Sequence, residues 1–405
     1  MKSELQIFLS DQLVGVMTLL PGGQSLFVFA DDYINDPHRP VLSQSFLLAD
    51  GKLQERTRPV HARLPPWFSN LLPEGALREY IAKQADIHPD REFQLLSFLG
   101  EDLPGAIRAV AAENKGKEVE SQNSDTNQAE APLRFSLAGV QLKFSALMNQ
   151  HGGLTIPAGG MGGDWIVKLP SAIYPAVPEN EAAMLTLAAC VGITVPEHRL
   201  VPINSVQGLP NLGNFADQNA LAVRRFDRLP GGKRVHMEDL AQVFGIFPRD
   251  KYEKVGCARI AELVGQVLGP QAAQDFIARL AFIILTGNGD MHLKNWSLLY
   301  PDGRTPTLAP AYDLVSTVAY IENERLALNI AGEKSFASIT HDRFRRLAEK
   351  AALPERETLA TVDRIVDAVQ KEWPQVRRET NLPQSIAEKI DKHLRKLPLI
   401  ISAKA

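Results

Sequence analysis

Leu285-Thr286-Gly287-Asn288-Gly289-Asp290-Met291-His292-Leu293-Lys294-Asn295 is the stretch on which the reading of this chain turns. It sets Asn295 five positions after Asp290, and a second acid, Asp313, follows a strand-like segment. The apolar run FIARLAFIIL at 276–285 reads as a helix leading into the loop. WSLLY at 296–300 reads as a short strand leading out of it, and 307–311 leads on to Asp313. That layout can bring a carboxylate, an amide and a second carboxylate to one place. Phosphoryl transfer uses such a set: one carboxylate orients the attacking hydroxyl, an amide oxygen holds a metal, and the other carboxylate bridges metal and phosphates. The competing reading is a polar turn between two core segments, because Asp, Asn and Gly favour turns for local reasons.

The spacing D-x-x-x-x-N is that of the protein-kinase catalytic loop, in which the Asp is the base and the Asn a metal ligand. His292, inside the loop, is expected to support it by hydrogen bonding, with metal ligation or acid–base work as the alternatives. A kinase also needs a cation on a strand to meet the phosphates, and Lys168 in WIVKLP at 165–170 is placed for it. An ammonium in an apolar strand is costly to bury without a charged partner. Its stem could instead reach solvent. Glu181, opening a helix at 180–191, is the candidate partner, although a helix start favours Glu for dipole reasons alone. The glycine run at 159–163 reads as a hairpin loop. The candidate phosphate loop is therefore Ala138-Gly139-Val140-Gln141-Leu142-Lys143, which offers one glycine, one amide and one lysine. Arg224, Arg225 and Phe226, at the end of a strand, stand where a hinge would meet an adenine ring.

Around these motifs the chain is organised in blocks. Residues 1–60 read as β-rich, with strands at 5–9, 14–20 and 25–29 separated by turn signals. Helical spacing follows at 67–82, interrupted by NLLPEG at 70–75, and again at 93–99. The polar stretch 112–132 has no aromatic residue and reads as a flexible linker or loop. Strands are expected at 165–169, 198–201 and 221–226. Beyond residue 239 the pattern is mostly helical, at 240–244, 257–267, 272–285, 343–352, 358–370 and 385–396. A β-rich lobe before a helical lobe that carries the acidic loop is a two-lobed kinase layout.

Composition is that of an ordinary globular chain of 405 residues, long enough for two or three domains. A net charge of -3 gives no global drive toward nucleic acid or membrane. No run is long and apolar enough to span a bilayer and no signal-peptide core opens the chain, so a cytoplasmic location without membrane attachment is expected. Cys190 and Cys257 lie outside any metal or redox spacing and are expected to be buried structural thiols in a reducing compartment.

Six motifs in order resemble the HipA family of toxin serine/threonine kinases from toxin–antitoxin systems. They are SLAGVQLK at 136–143, WIVKLP at 165–170, ENE at 179–181, VRRFDR at 223–228, GNGDMHLKN at 287–295 and AYDLVST at 311–317. NLLPEG at 70–75 also looks like part of that family's N-terminal subdomain. The resemblance implies an α+β, two-lobed protein-kinase-like fold with a β-rich N-terminal lobe, an added N-terminal subdomain and an all-helical C-terminal lobe. It divides the chain into an N-terminal subdomain at 1–111, a linker or loop at 112–132, a nucleotide-binding part at 133–228 and a helical lobe at 229–405. It implies ATP and Mg2+ as cofactors, Asp290 as catalytic base, and Asn295 and Asp313 as metal ligands. Lys168, residues 138–143, the hinge 224–226, His292, Lys294 and Tyr312 would contact ATP. Ser136 matches an autophosphorylated serine, while Arg134 stands where some members have a second one. The partners implied are a HipB-like helix-turn-helix antitoxin, operator DNA reached mainly through that antitoxin, and a protein substrate such as an aminoacyl-tRNA synthetase. A catalytically weak corepressor and a small-molecule phosphotransferase are the alternatives. Every acid, amide and lysine that the chemistry needs is present, which argues against the former; the family N-terminal part argues against the latter.

Overall fold

The computed structural model describes residues 3–112, 142–148, 153–157, 162–209 and 218–402. Ser136, residues 138–141 of the expected phosphate loop, nearly all of the 112–132 stretch and most of the 159–163 glycine run lie outside the described residues.

The chain opens with three strands, Glu4–Leu9, Gln12–Leu20 and Gln24–Phe29. Alternation puts Leu5, Ile7 and Leu9 on the buried face of the first. Val60–His61 and Ile107–Ala111 add the two edges of a five-stranded antiparallel sheet. Gly15 has no alternative in that sheet, since a Cβ there would stand 2.2 Å from the Val28 carbonyl oxygen. The expected helix at 67–82 is two helices, Pro66–Ser69 and Gly75–Gln84, separated by the NLLPEG turn. Both contribute to the core under the sheet through Trp67, Phe68, Leu77 and Ile81.

A second, six-stranded sheet runs in the order Val206–Gln207, Leu154–Thr155, Lys143–Met148, Trp165–Lys168, Asn219–Arg224, His198–Pro202. Its Phe144, Val167 and Ala220 belong to the same apolar cluster as Leu5 and Phe27 of the first sheet, so the two sheets share one core. Helix Val177–Cys190 packs on strands Asn219–Arg224 and His198–Pro202 of this sheet and also on the long helix Glu355–Glu379. It is therefore fixed from both lobes.

The second core centres on helix Pro270–Thr286, held between Cys257–Val267 and Glu355–Glu379. Its ends follow from local chemistry. Pro270 opens it at the first turn, where the missing N–H costs nothing. Gly287 closes it at φ 67°, donating its N–H back to the Ile283 and Ile284 carbonyls. The C-terminal lobe is mainly helical, but it is not all-helical as expected. His236–Asp239, Ser297–Tyr300 and Thr307–Leu308 form a three-stranded sheet, and Arg325–Ile330 pairs with Glu333–Ser335. Of these, Ser297–Tyr300 and Thr307–Leu308 fall in segments that the sequence reads as strand-like, while the other three strands, which lack strict alternation, were not expected. Cys257 is buried, whereas Cys190 is exposed, which corrects the expectation of two buried thiols. Among the described residues no helix is long and apolar enough to cross a membrane.

Candidate active site

Lys168 and Lys143 sit directly opposite one another on neighbouring antiparallel strands, so both point to the same face of the second sheet. Both are buried. Like charges facing each other across strands repel, and the structure balances them with acids. Lys168 Nζ lies 2.5 Å from Glu181 Oε1 and also bonds Asp313 Oδ1. The partner expected for Lys168 is thus in place, joined by a second acid that arrives from the other lobe. Burial alone would lower the Lys168 pKa, but the two carboxylates outweigh it and raise it above the ordinary lysine value. Burial likewise works to raise Asp313, yet Lys168 and Lys143 hold that carboxyl well below the usual range. Glu181 is pushed up, first by burial and further by Asp313. Lys143 is pushed down by burial.

Asp313 has φ 53°, in the left-handed region that residues with a Cβ seldom enter. Such a conformation costs on the order of 1–3 kcal/mol and persists only where surrounding contacts impose it. Here they are the Lys168 ion pair and a bond from Asn288 Nδ2 to the Asp313 carbonyl at 3.4 Å. The following segment is tied to the loop at 287–295: Thr317 Oγ1 accepts from the Gly289 N–H at 2.7 Å and donates to the Gly287 carbonyl at 3.2 Å.

The loop itself is pinned by its own polar groups. The Asp290 N–H donates to Asn288 Oδ1 at 3.0 Å, and the Asp290 carbonyl accepts from the His292 N–H at 2.8 Å and from Asn295 Nδ2 at 2.9 Å. Asp290 Oδ1 accepts from the Tyr252 hydroxyl at 2.8 Å. Loss of hydration raises the Asp290 pKa, against the lowering effect of Tyr252 and Lys251. His292 supports the loop through its main chain, while its ring packs edge-on against Tyr252 at 5.0 Å. Burial and the neighbouring Lys251 drive its pKa down to about 3, so the imidazole is neutral near pH 7.

Between the lobes lies a cleft whose open space, solvent at its mouth included, is about 940 Å³. Lys143, Lys168, Arg224, Arg225, Phe226, His292, Lys294, Asn295, Tyr312 and Asp313 all line it. Asp290 does not line it; it is exposed, on the same loop two residues before His292, Leu142 immediately precedes the strand that carries Lys143, and residues 138–141 and Ser136 lie outside the described residues. Ile166, Val223, Met237, Phe226 and Tyr312 make the apolar part, with the last two rings 5.6 Å apart. The two hinge guanidinium groups are engaged elsewhere. Arg224 Nη1 lies 3.2 Å from Glu197, and Arg225 grips Asp227 in a bidentate pair at 2.9 and 2.8 Å.

Magnesium fits this donor set. Asn295 uses its amide nitrogen on the Asp290 carbonyl, which leaves the amide oxygen for a cation. Asp313, held ionised by two lysines, lines the same cleft. Hard oxygen donors and few protein ligands suit Mg2+.

Among the cleft residues that the sequence reading missed are Glu74, Lys251, Asp239 and Asn70. Glu74, from the N-terminal part, pairs with Lys251 at 2.8 Å and Lys294 at 2.7 Å. Asp239 caps the short helix Leu240–Val243 through a capping box, and burial lifts its pKa to about 6. Asn70 accepts from Lys294 Nζ through its carbonyl at 3.1 Å. Only NLLPEG carried a signal for any of them, as a motif without an assigned role.

Residues 135–373 match the model of the HipA-like C-terminal domain, and residues 5–110 match that of the HipA N-terminal domain. This chain belongs to the family of HipA-like toxin kinases. It is 46% identical to Sinorhizobium fredii Y4dM, provisionally named a kinase, over 96% of each chain. It is 29% identical to the serine/threonine-protein kinase toxin HipA of Shewanella oneidensis, over 79% of this chain and 76% of that one. In fold it resembles a chain of the Shewanella oneidensis complex of HipA, HipB and operator DNA. The TM-score is 0.73 at 23% identity, covering 99% of this chain and 96% of that one. The two-lobed kinase-like architecture is therefore common to this chain and that one.

Proposed function

We propose that this chain is an ATP-dependent protein serine/threonine kinase that transfers the γ-phosphate to a protein hydroxyl. The observation that carries the reading is the buried Lys168 held between Glu181 and Asp313 in the cleft that Asn295 also lines. Two buried lysines on one sheet face are a poor structural choice and a good cradle for a polyphosphate.

In this reading the apolar part of the cleft takes the adenine ring, and Lys168 and Lys143 meet the phosphates. Asn295 and Asp313 would hold Mg2+, which supplies charge neutralisation to the β- and γ-phosphates. Tyr252 occupies one Asp290 oxygen and leaves the other to receive a proton from the acceptor hydroxyl. The new bond joins that hydroxyl oxygen to the γ-phosphorus. The bond from the γ-phosphorus to the bridging oxygen breaks, ADP leaves with its electron pair, and the hydroxyl proton passes to Asp290. Family resemblance supports an aminoacyl-tRNA synthetase as acceptor, a HipB-like antitoxin as the neutralising partner, and Ser136 as a site of self-inactivating autophosphorylation. A phosphate at Ser136 adds nearly two negative charges beside the loop expected to hold those of ATP.

The test is incubation of the purified chain with γ-labelled ATP and magnesium, with candidate proteins and metabolites added. Label on a protein serine or threonine supports the reading. Label only on metabolites supports a small-molecule phosphotransferase, and no turnover supports a silent corepressor; either contradicts it.

A further inference from the structure

Glu74 is the N-cap residue of helix Gly75–Gln84, yet its side chain makes no capping bond. N-cap positions favour short side chains that fold back on the first turn. A glutamate there whose carboxylate leaves its own helix is held by something else. It reaches the C-terminal lobe and lies 2.8 Å from Lys251 Nζ and 2.7 Å from Lys294 Nζ. Both lysines are buried and both line the cleft. The contact is locked from each side. Asn70 Nδ2 donates to the Ile246 carbonyl at 2.7 Å, and the Asn70 carbonyl accepts from Lys294 Nζ at 3.1 Å. On the other side the Leu293 N–H donates to the Lys251 carbonyl at 3.3 Å, which joins Lys251 to the loop carrying Asp290 and Asn295.

Lys143 and Lys168 on the sheet, Lys251 and Lys294 on the opposite lobe, and the acids Glu74, Asp239 and Asp313 thus all line the one cleft. We infer that Lys251 and Lys294 form a subsite for the phosphoryl group in transfer, and that Glu74 of the N-terminal subdomain is the positioning residue that holds their ammonium groups apart and in place. The inference rests on the kinase reading above and extends it, because it makes the N-terminal subdomain part of the active site. Two ammonium groups sharing one carboxylate cannot both collapse onto the phosphates of the ground state. They remain available to the charge that develops on the transferring group and its leaving oxygen.

The experiment compares wild type, Glu74→Gln, Lys251→Gln and Lys168→Ala for ATP affinity by calorimetry and for kcat and KM in phosphoryl transfer. Glu74→Gln removes a negative charge a few ångströms from the phosphates, so ATP should bind about three- to tenfold tighter. Its kcat should fall about tenfold or more, since the ammonium groups lose their geometry. Lys251→Gln should lower kcat about tenfold or more while ATP affinity stays within severalfold of wild type. A purely structural contact would lower the melting temperature of Glu74→Gln and leave affinity and kcat per folded molecule within twofold; that result, or weaker ATP binding by Glu74→Gln, overturns the inference. Failure of the underlying reading looks different: wild type itself then neither binds ATP nor transfers phosphate, and the inference falls with it. Lys168→Ala checks that the binding assay reads the same cleft.

Discussion

Asp313 and Asp290 differ in charge environment, and the difference matches the work proposed for each. Asp313 is drawn below the normal carboxylate range by Lys168 and Lys143 against the opposing effect of burial, so it stays ionised for a metal. Asp290 is raised by loss of hydration, which makes it a better proton acceptor than an ordinary aspartate. Phosphoryl transfer needs Asp290 deprotonated. The rate should therefore rise with pH through an apparent pKa above the ordinary aspartate value, and Tyr252→Phe, which removes a lowering hydrogen bond, should move that limb to higher pH. A pH profile of kcat for both proteins checks this; coincident profiles contradict the role given to Tyr252. That Asn295, Asp313 and Lys168 would come together in one cleft was legible in the sequence because each lies in a short motif whose spacing reflects local geometry. Glu74 and Lys251 were not, because they meet across 177 positions of chain, and nothing local records that contact.

At the level of elements, the stop of helix Pro270–Thr286 decides where the loop begins. Gly287 has φ 67°, and a Cβ there would come within 2.5 Å of Val318 in the segment after Asp313. Gly287→Ala should cost about 1–2 kcal/mol from the left-handed backbone alone, with a further cost from the contact. Denaturant unfolding and transfer rate should fall together; a neutral effect on both contradicts this. The capped helices were readable from Pro, Gly and apolar spacing, and so was the strand Ser297–Tyr300, while His236–Asp239 and the pair Arg325–Ile330 and Glu333–Ser335 were not. One of those strands carries Glu238, which meets Ser43, Gln44 and Trp67 from the N-terminal part and Tyr300 from its own sheet. Burial raises its pKa from the ordinary glutamate value, about 4.5, to about 7. With the folded value the higher one, its contribution to stability is fully present below about pH 4.5 and is lost as pH rises through about 7. His236, which stacks on Tyr300, has its pKa lowered from 6.5 to about 4 by burial, so between those values its linkage runs the other way, stability rising with pH, and it offsets part of the Glu238 decline below about pH 6.5. Glu238→Gln should be less stable at pH 6, because an amide cannot accept all four donors. It should also lose part of the decline between pH 6 and 8. Melting temperatures across that range decide it, and an unchanged slope contradicts the assignment.

Across the whole molecule, the N-terminal part is wired to the segment 225–228, which follows strand Asn219–Arg224, by buried ion pairs. Asp102 lies 2.8 Å from Arg228 and 3.7 Å from Arg225, and Asp227 bonds both arginines and the Gly105 N–H. Removing one member leaves buried charge without a partner. Asp102→Ala should therefore destabilise the fold by about 3–5 kcal/mol, measured by denaturant unfolding; a loss below about 1 kcal/mol, the scale of exposed pairs, contradicts it. The order of lobes was readable from composition and pattern, but the extent to which the N-terminal part enters the cleft was not, since VRRFDR looks the same whether its arginines face a ligand or a neighbouring subunit of the fold. The central claim is that this cleft moves a phosphoryl group. Its most direct measurement is transfer of label from γ-labelled ATP to protein by wild type and by Asp290→Asn, with ATP affinity measured on the same samples. The account predicts that Asp290→Asn binds ATP within severalfold of wild type and transfers at least about a thousandfold more slowly; equal labelling by the two proteins, or no transfer by wild type, would contradict it.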